Sequence, residues 1–273
     1  MAVASEPMVF GVSPGRTGTD SLKTALNVLG YNTLHMKELL LDESGIDTSG
    51  RLQLFTSWAT NYDKPNNPTN IDPIMEGFTA GVDFPISMFY IDLLNHYPNS
   101  KFILTHRNPK KWYNSIQSTI CLIGNQNHWY NHILLHAPFG RFYHQFPMMD
   151  SIAAMISDKH DWTEFCNSGE EYLTRWFRNY EETVKKTIPP EQLLIFNVGV
   201  DGFEELSTFL NTPPPSQPYP RVNSSAEFKR LLMVIKIGAF LICSLPFALI
   251  VFGIVYIRKY MYGLKEFKKK KIE

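Results

Sequence analysis

The turn that follows the first short apolar run carries the most informative residue types in this sequence. The run reads VFGVS, the turn reads PGRTGT from Pro14 to Thr19, and Leu22 and Leu26 then share one helical face. Two glycines let successive backbone N–H groups point inward, and a helix N-terminus adds partial positive charge. These features predict a site for anionic oxygens, with donors from Gly15, Arg16, Thr17, Gly18, Thr19 and Ser21.

This turn is not the phosphate loop of ATP-binding proteins. The pattern G-x-x-x-x-G-K-[ST] is absent, because an arginine stands where the Walker lysine would be useful and the two glycines are too close together. An ordinary strand–turn–helix connection is the alternative interpretation. The strand before the turn and the helix after it favour phosphate binding.

Two further polar groups stand at the ends of apolar runs. Arg107 follows KFILTH, and Ser115 lies eight residues further on, in a helix predicted to begin at Pro109. Ligands bind where parallel strands end, so Arg107 and Ser115 can donate to a phosphate, whereas a surface ion pair beside a capped helix is the alternative. Asp83, in GVDFP, can accept a proton from an acceptor hydroxyl or cap the next helix.

The elements around these residues predict an α/β fold. Short apolar, β-branched runs alternate with amphipathic stretches, which indicates a parallel sheet covered by helices on both faces. The predicted strands are 9–13, 33–35, 81–84, 101–106 and 193–198, and the predicted helices are 21–29, 36–42, 87–96, 109–120 and 170–187. The proline-rich segment 213–220 predicts that this body ends near residue 225.

Composition and charge exclude several protein classes. The 273 residues are 44% hydrophobic and 19% charged, which is typical of globular proteins and not of disordered chains. The 26 basic and 26 acidic residues cancel, but residues 258–273 carry +5 and the rest −5, so no nucleic-acid partner is predicted. Cys121, Cys166 and Cys243 form no C-x-x-C, and we expect three buried thiols in a reducing compartment.

The C-terminal residues predict a membrane anchor. Segment 237–257 reads IGAFLICSLPFALIVFGIVYI, without a charge, and its 21 residues would span about 31 Å, close to the ~30 Å hydrocarbon core of a bilayer. We therefore expect a domain over 1–225, a juxtamembrane linker over 226–236, a single transmembrane helix over 237–257 and a basic tail over 258–273.

Sequence features at the two ends of the chain favour opposite orientations of this anchor in the membrane. The N-terminus lacks a signal-peptide pattern, which favours a cytosolic body. The basic tail favours the opposite orientation, and its terminal KKIE resembles the dilysine retrieval signal of endoplasmic-reticulum proteins. A lysine run that binds anionic headgroups is the alternative for the tail. We expect a cytosolic body, with the endoplasmic reticulum as a candidate membrane.

No metal site is predicted. His128, His132 and His136 recur every four residues, and three imidazoles can bind zinc, but H-E-x-x-H is absent. We expect this aromatic, histidine-rich stretch to pack over a substrate pocket or to lie near the membrane.

Together these motifs resemble the sulfotransferase family, in the branch of the parasite sulfotransferases with a PRTGT loop. The resemblance covers about residues 8–225 and rests, in order, on G-x-x-x-x-R-T-G-T-x-S-L-K, L-H-M, V-D-F-P and Y-P-x-x-K-F-I-L-T-x-R-x-P-x-x-W-x-x-S. It implies a three-layer, P-loop-like α/β fold. It also implies 3′-phosphoadenosine 5′-phosphosulfate (PAPS) as the sulfuryl donor and no metal.

The resemblance also implies roles for individual residues. Residues 16–19 with Ser21 would hold the donor's 5′-phosphosulfate, and Arg107, Ser115 and Arg221 its 3′-phosphate. Asp83 matches the general base, Arg16 would stabilise charge on the bridging oxygen, and His35 lies on the acceptor side. The loop departs from the family's G-F-P-R-T-G-T in having its proline one position early, and T-x-R-D becomes THRN over 105–108. Both departures keep the residue types that contact phosphate.

The expected function is a membrane-anchored, PAPS-dependent sulfotransferase that acts on a hydroxyl or amine of a small or lipid-like acceptor. Two alternatives remain at this point. One is a phosphotransferase of the same fold, and the other is a catalytically inactive, membrane-anchored nucleotide-binding protein.

Overall fold

Five parallel strands form the central sheet, in the order β2-β3-β1-β4-β5. The computed structural model describes residues 8–41, 50–62, 71–124, 140–222 and 224–270. The strands are β1 Val9–Gly11, β2 Thr33–Leu34, β3 Ala80–Gly81, β4 Lys101–His106 and β5 Leu193–Asn197. All five predicted strands are found, but only β4 has the predicted bounds. The other four are shorter, and β3 shares only residue 81 with its predicted range.

Helices flank this sheet, which confirms the predicted α/β class and is consistent with a P-loop-like fold. They are α1 Thr19–Val28, α2 Met36–Leu41, α3 Arg51–Thr60, α4 Asp72–Met75, α5 Tyr90–His96, α6 Pro109–Gln117, α7 Ile120–Gly124, α8 Gly140–Ile156, α9 Trp162–Cys166, α10 Gly169–Thr187, α11 Phe203–Leu210 and α12 Ser224–Lys270. The predicted helix over 87–96 begins as a 3-10 turn, Ile86–Phe89, and the one over 109–120 divides into α6 and α7.

Both faces of the sheet are buried, which explains why its strands read as continuous apolar runs. Alternate residues of β4 enter different core clusters: Phe102 and Leu104 pack into one, and Ile103 into the other. The first cluster is completed by α3, α6 and α10, and the second by α1 and α11. The sheet is therefore a rigid support for the loops at its edge.

The strand order brings the predicted site residues to one edge. Parallel strands all end at the same side of a sheet, and β1 lies between β3 and β4. Pairing continues past the strand ends, since Val12 N donates to Ile103 O at 2.9 Å and Val82 N donates to Leu34 O at 2.8 Å. The turn that contains Arg16 therefore leaves the sheet between Asp83 and Arg107.

A disulfide joins two of the cysteines, which makes the expectation of buried thiols wrong for this pair. Cys121 in α7 and Cys166 at the end of α9 are linked, with a Cα–Cα distance of 5.6 Å across 45 residues of sequence. The packing of α7 against α9 brings them together, and no spacing rule in the sequence indicates that contact. The side chain of Cys243 lies outside the described residues.

The C-terminal residues form one helix, α12, which runs from Ser224 to Lys270. Among the described residues, no helix is long and apolar enough to cross a membrane. The transmembrane helix predicted over 237–257 is therefore not confirmed by the structure. Within that segment, the side chains of residues 239, 242–243 and 245–248 lie outside the described set.

Candidate active site

A cavity of about 970 Å³ opens at the carboxyl edge of the sheet. Most of the predicted site residues line it, although they come from five separate parts of the chain. The predicted residues in its wall are Gly15, Arg16, Gly18, Thr19, Ser21, His35, Asp83, Arg107 and Arg221. Thr17 and Ser115 do not line it.

Thr17 belongs to the framework of the turn. It is 0% exposed, and its hydroxyl donates to Pro14 O at 2.8 Å and accepts from Thr105 Oγ1 at 2.8 Å. Trp112 Nε1 also donates to Gly15 O at 3.1 Å. The hydroxyl of Thr17 thus holds the loop against β4, and the prediction that Thr17 binds the donor stays a prediction.

Two of the predicted catalytic residues have strained backbone conformations. Arg16 has φ of 74° and Asp83 has φ of 73°, in the left-handed region where side chains with a Cβ are disfavoured. Gly18, with φ of 86°, supplies the same conformation without that cost at the residue before α1. Such strain, about 1–3 kcal/mol per residue, is concentrated at functional sites because the surrounding structure must maintain it.

Arg16 and Arg107 lie side by side in the wall of the cavity. The Arg107 guanidinium donates to the backbone oxygen of Arg16, and Arg16 Nε donates to Ser115 Oγ at 3.3 Å. Burial lowers the pKa of both guanidinium groups, and for Arg107 the neighbouring charge of Arg16 lowers it further. Two adjacent, partly buried cations favour binding of an anion.

Asp83 faces His35 across a short distance. The Thr19 hydroxyl donates to Asp83 Oδ1 at 3.0 Å, and His35 Nε2 lies 3.3 Å from Asp83 Oδ2. The backbone N–H of Lys37 donates to His35 Nδ1 at 3.1 Å, so Nδ1 is unprotonated and the proton of the neutral ring is on Nε2. The Asp83 side chain does not cap the following 3-10 turn, which removes the alternative interpretation of this residue.

His35 is neutral in this environment. It is 5% exposed, and burial lowers the pKa of its imidazole, although the negative charge of Asp83 opposes that effect. The Nε2 proton of this neutral ring is close to Asp83 but makes no hydrogen bond in this conformation. The hydroxyl of Thr19 is the group that orients the carboxylate at the edge of the cavity.

Sequence reasoning missed the apolar wall of the cavity. Met36, Phe84, Ile120, Met149 and Trp162 contribute to it. The wall also includes Glu227 and Phe228 from the first turn of α12. Met36 and Phe84 lie in the motifs L-H-M and V-D-F-P, which was a usable signal, whereas the other residues of this wall lie in no recognisable motif.

A metal site is not found in the part of the chain that the structure describes. No cluster of three histidine, cysteine, aspartate or glutamate side chains there could hold an ion. His128, His132 and His136 lie outside the described residues. The prediction that they bind no metal stays a prediction.

Comparison with known proteins gives two matches. The family model for the sulfotransferase domain matches residues 8–228. The chain is also similar to "Ava biosynthesis cluster protein M" of Aspergillus versicolor, with 26% identity over 261 residues, which is 91% of this chain and 95% of that protein. The family match includes every residue of the cavity wall named above and ends in the first turn of α12.

The burial of neutral His35 predicts a specific pH dependence of stability. Its pKa in the folded chain lies below the 6.5 of an exposed histidine, so the unfolded chain takes up this proton first as the pH falls. The stabilising effect of neutral His35 is thus complete above about pH 6.5 and is lost progressively below it. We expect the unfolding free energy of His35→Gln, from urea titrations, to fall less between about pH 7 and 5 than that of the parent.

His160→Gln is the matched control, because His160 is exposed. This variant should retain the pH slope of the parent. Equal slopes for His35→Gln and the parent would contradict the assignment of a neutral, buried His35.

Proposed function

The chain belongs to the sulfotransferase domain family, and from this membership we propose that it transfers a sulfuryl group from PAPS to a hydroxyl or amine of a small acceptor. The observation that carries the proposal is the position of Arg16. Its guanidinium lies beside Arg107, its pKa responds to the charge of Asp83, and all three residues line one cavity. A candidate anion site and a candidate general base thus line the same cavity.

The donor half of the cavity fits a nucleotide with two anionic ends. The inward-facing turn and the N-terminus of α1 supply backbone donors, and Arg16 supplies a charged one. Arg107, with Arg221 on the segment that returns over the cavity, supplies charged donors for a second phosphate. A cavity of about 970 Å³ is at the upper end of the size typical for small-molecule sites, ~300–1,000 Å³, which suits a nucleotide together with an acceptor.

The proposed chemistry depends mainly on positioning and electrostatics. PAPS supplies the activated sulfuryl group. The acceptor oxygen attacks sulfur, the bond from sulfur to the bridging phosphate oxygen breaks, and the proton of the acceptor hydroxyl passes to the Asp83 carboxylate. Arg16 stabilises the negative charge that develops on the leaving oxygen. Thr19 holds the carboxylate through a hydrogen bond to Oδ1, and the carboxylate oxygens keep lone pairs for the acceptor proton.

The side chains that line the cavity near Asp83 indicate the kind of acceptor. The apolar side chains near Asp83 support an acceptor with apolar surface. The name of the Aspergillus versicolor relative refers to a biosynthesis cluster, which supports a biosynthetic role for this chain by analogy. A lipid-like acceptor belongs to the same proposal.

Titration with the desulfated donor, 3′-phosphoadenosine 5′-phosphate, tests the donor site directly. We expect calorimetry of the full chain to detect tight binding of this nucleotide, and Arg107→Ala to weaken it by about 10- to 100-fold, since hydrogen bonds to charged groups contribute ~1.5–3 kcal/mol. Arg175→Ala is the matched control, because Arg175 is exposed on α10, does not line the cavity and pairs with Glu171 in its own helix. Preferential binding of ATP with magnesium would indicate a phosphotransferase, and no binding of either nucleotide would indicate the inactive protein.

The base is tested with Asp83→Asn. Asparagine tolerates a φ near 73° as well as aspartate does and has almost the same shape, so this variant removes the charge and adds no backbone strain. We expect kcat to fall about 10²- to 10⁴-fold, the usual range for a general base, while binding of 3′-phosphoadenosine 5′-phosphate is unchanged. Asp158→Asn, at an exposed residue away from the cavity, should have the kcat of the parent. Full activity of Asp83→Asn would exclude this residue as the base.

We further propose that the protein is anchored in a membrane by its C-terminus. The lack of a signal-peptide pattern favours a cytosolic body, whereas the Cys121–Cys166 disulfide favours an oxidising compartment, so the protease experiment below decides the orientation. This proposal is supported by the uncharged run 237–257 and by exposed apolar side chains of α12, such as Phe240 and Phe252 at 63% and 69% exposure. Contiguous exposed apolar surface is typical of membrane or protein contacts.

Fractionation of expressing cells tests the anchor. The full chain should sediment with membranes and resist extraction at alkaline pH, whereas a chain that ends at residue 225 should stay in the supernatant. Protease added to sealed membranes should digest the body if it is cytosolic. Recovery of the full chain in the supernatant would contradict the anchor.

A further inference from the structure

The first turn of α12 is part of the cavity, although sequence reasoning assigned it to a linker. Glu227 and Phe228 line the cavity, as does the preceding segment Tyr219–Val222. Phe228 is half-buried, in contrast to the exposed apolar residues further along the same helix, such as Phe240. Its burial comes from contacts with the body.

Phe228 packs against the most important cation of the site. The Arg16 guanidinium carbon lies 5.8 Å from the centroid of the Phe228 ring, which is within the range of a cation–π contact. The same guanidinium donates to Ser115 through Nε. The aromatic ring therefore lies next to the group that acts on the sulfuryl oxygen in the proposed mechanism.

Contacts on both sides of the cavity hold this segment in place. Val222 N donates to Ser21 Oγ at 3.0 Å, on the side of the phosphate loop. Glu227 pairs with Lys37 Nζ at 3.2 Å, and that ammonium also binds Asp20 at 2.7 Å. Lys37 is the second residue of α2, directly after Met36 and close to His35. The segment thus runs from the donor side, at Ser21, to the acceptor side, at Lys37.

Phe228 lines the same cavity as the candidate base and several other apolar side chains. Met36, Phe84 and Trp162 are among them, and Asp83 lies directly before Phe84 in the chain. An acceptor bound at Asp83 shares the cavity with these side chains. Apolar walls discriminate between acceptors by size and contact area, and one methylene group changes selectivity by about 10-fold or more.

We propose that Phe228 is a specificity-determining residue for the acceptor, and that it limits how far an apolar acceptor extends towards α12. The proposal rests on the sulfotransferase activity proposed above. Acceptor selectivity is thereby assigned in part to the end of the domain, 145 positions after Asp83.

The test compares Phe228→Ala with the parent on a series of 4-alkylphenols of increasing chain length, with PAPS as donor and the full chain as enzyme. We expect Phe228→Ala to raise KM for 4-methylphenol about 10-fold and to shift kcat/KM in favour of the longest phenols by about 10-fold or more. The KM for PAPS and the affinity for 3′-phosphoadenosine 5′-phosphate should change by at most about fivefold, which corresponds to the loss of a cation–π contact of ~0.5–1 kcal/mol, and by the same factor for every phenol. Phe228→Leu, which restores most of the apolar volume, should return the selectivity most of the way to that of the parent.

Phe240→Ala is the matched control on the same helix, because Phe240 is exposed and does not line the cavity. It should have the selectivity of the parent. An equal change in kcat/KM for all phenols would show that Phe228 acts only through Arg16 and would overturn the proposal, as would unchanged kinetics. The parent protein shows whether the sulfotransferase function itself is wrong. In that case calorimetry would detect no binding of 3′-phosphoadenosine 5′-phosphate to the parent.

Discussion

The cost of holding two arginine side chains together is the constraint on which the cavity depends. Arg16 and Arg107 are partly buried and adjacent, and both desolvation and mutual repulsion disfavour that arrangement. The structure offsets the cost with the backbone oxygen of Arg16, the hydroxyl of Ser115 and the carboxylates of Asp83 and Asp20. A bound anion would add further stabilisation. The affinity of the site for an anionic donor is thus a direct consequence of how it is assembled.

The backbone around these residues needs support from the core. Arg16 and Asp83 both have positive φ, and neither is a glycine. The loop is held by Trp112 through Gly15 and by Thr105 through Thr17, while Trp112 itself is stacked on Phe177 at a centroid distance of 4.5 Å. The large aromatic core on that face of the sheet therefore stabilises a conformation that the loop residues alone would not favour.

The C-terminal helix connects this site to the rest of the chain. The match to the sulfotransferase domain ends at residue 228, where α12 has completed only its first turn. Phe228 and Glu227 lie at that boundary and contact Arg16 and Lys37. Beyond them α12 carries mainly exposed apolar residues. These exposed residues and the cavity residues Glu227 and Phe228 belong to one helix.

The sequence alone determined the five strands, the class of fold, the family and most of the polar residues of the site. It could do so because these features are local: a strand is a short apolar run, and a ligand-binding residue stands at its end. The tertiary structure decided the inward position of the Thr17 hydroxyl, the Cys121–Cys166 disulfide and the apolar wall with Phe228. These features depend on contacts between residues far apart in the chain, and a buried apolar side chain has the same local pattern in a core as in the wall of a cavity.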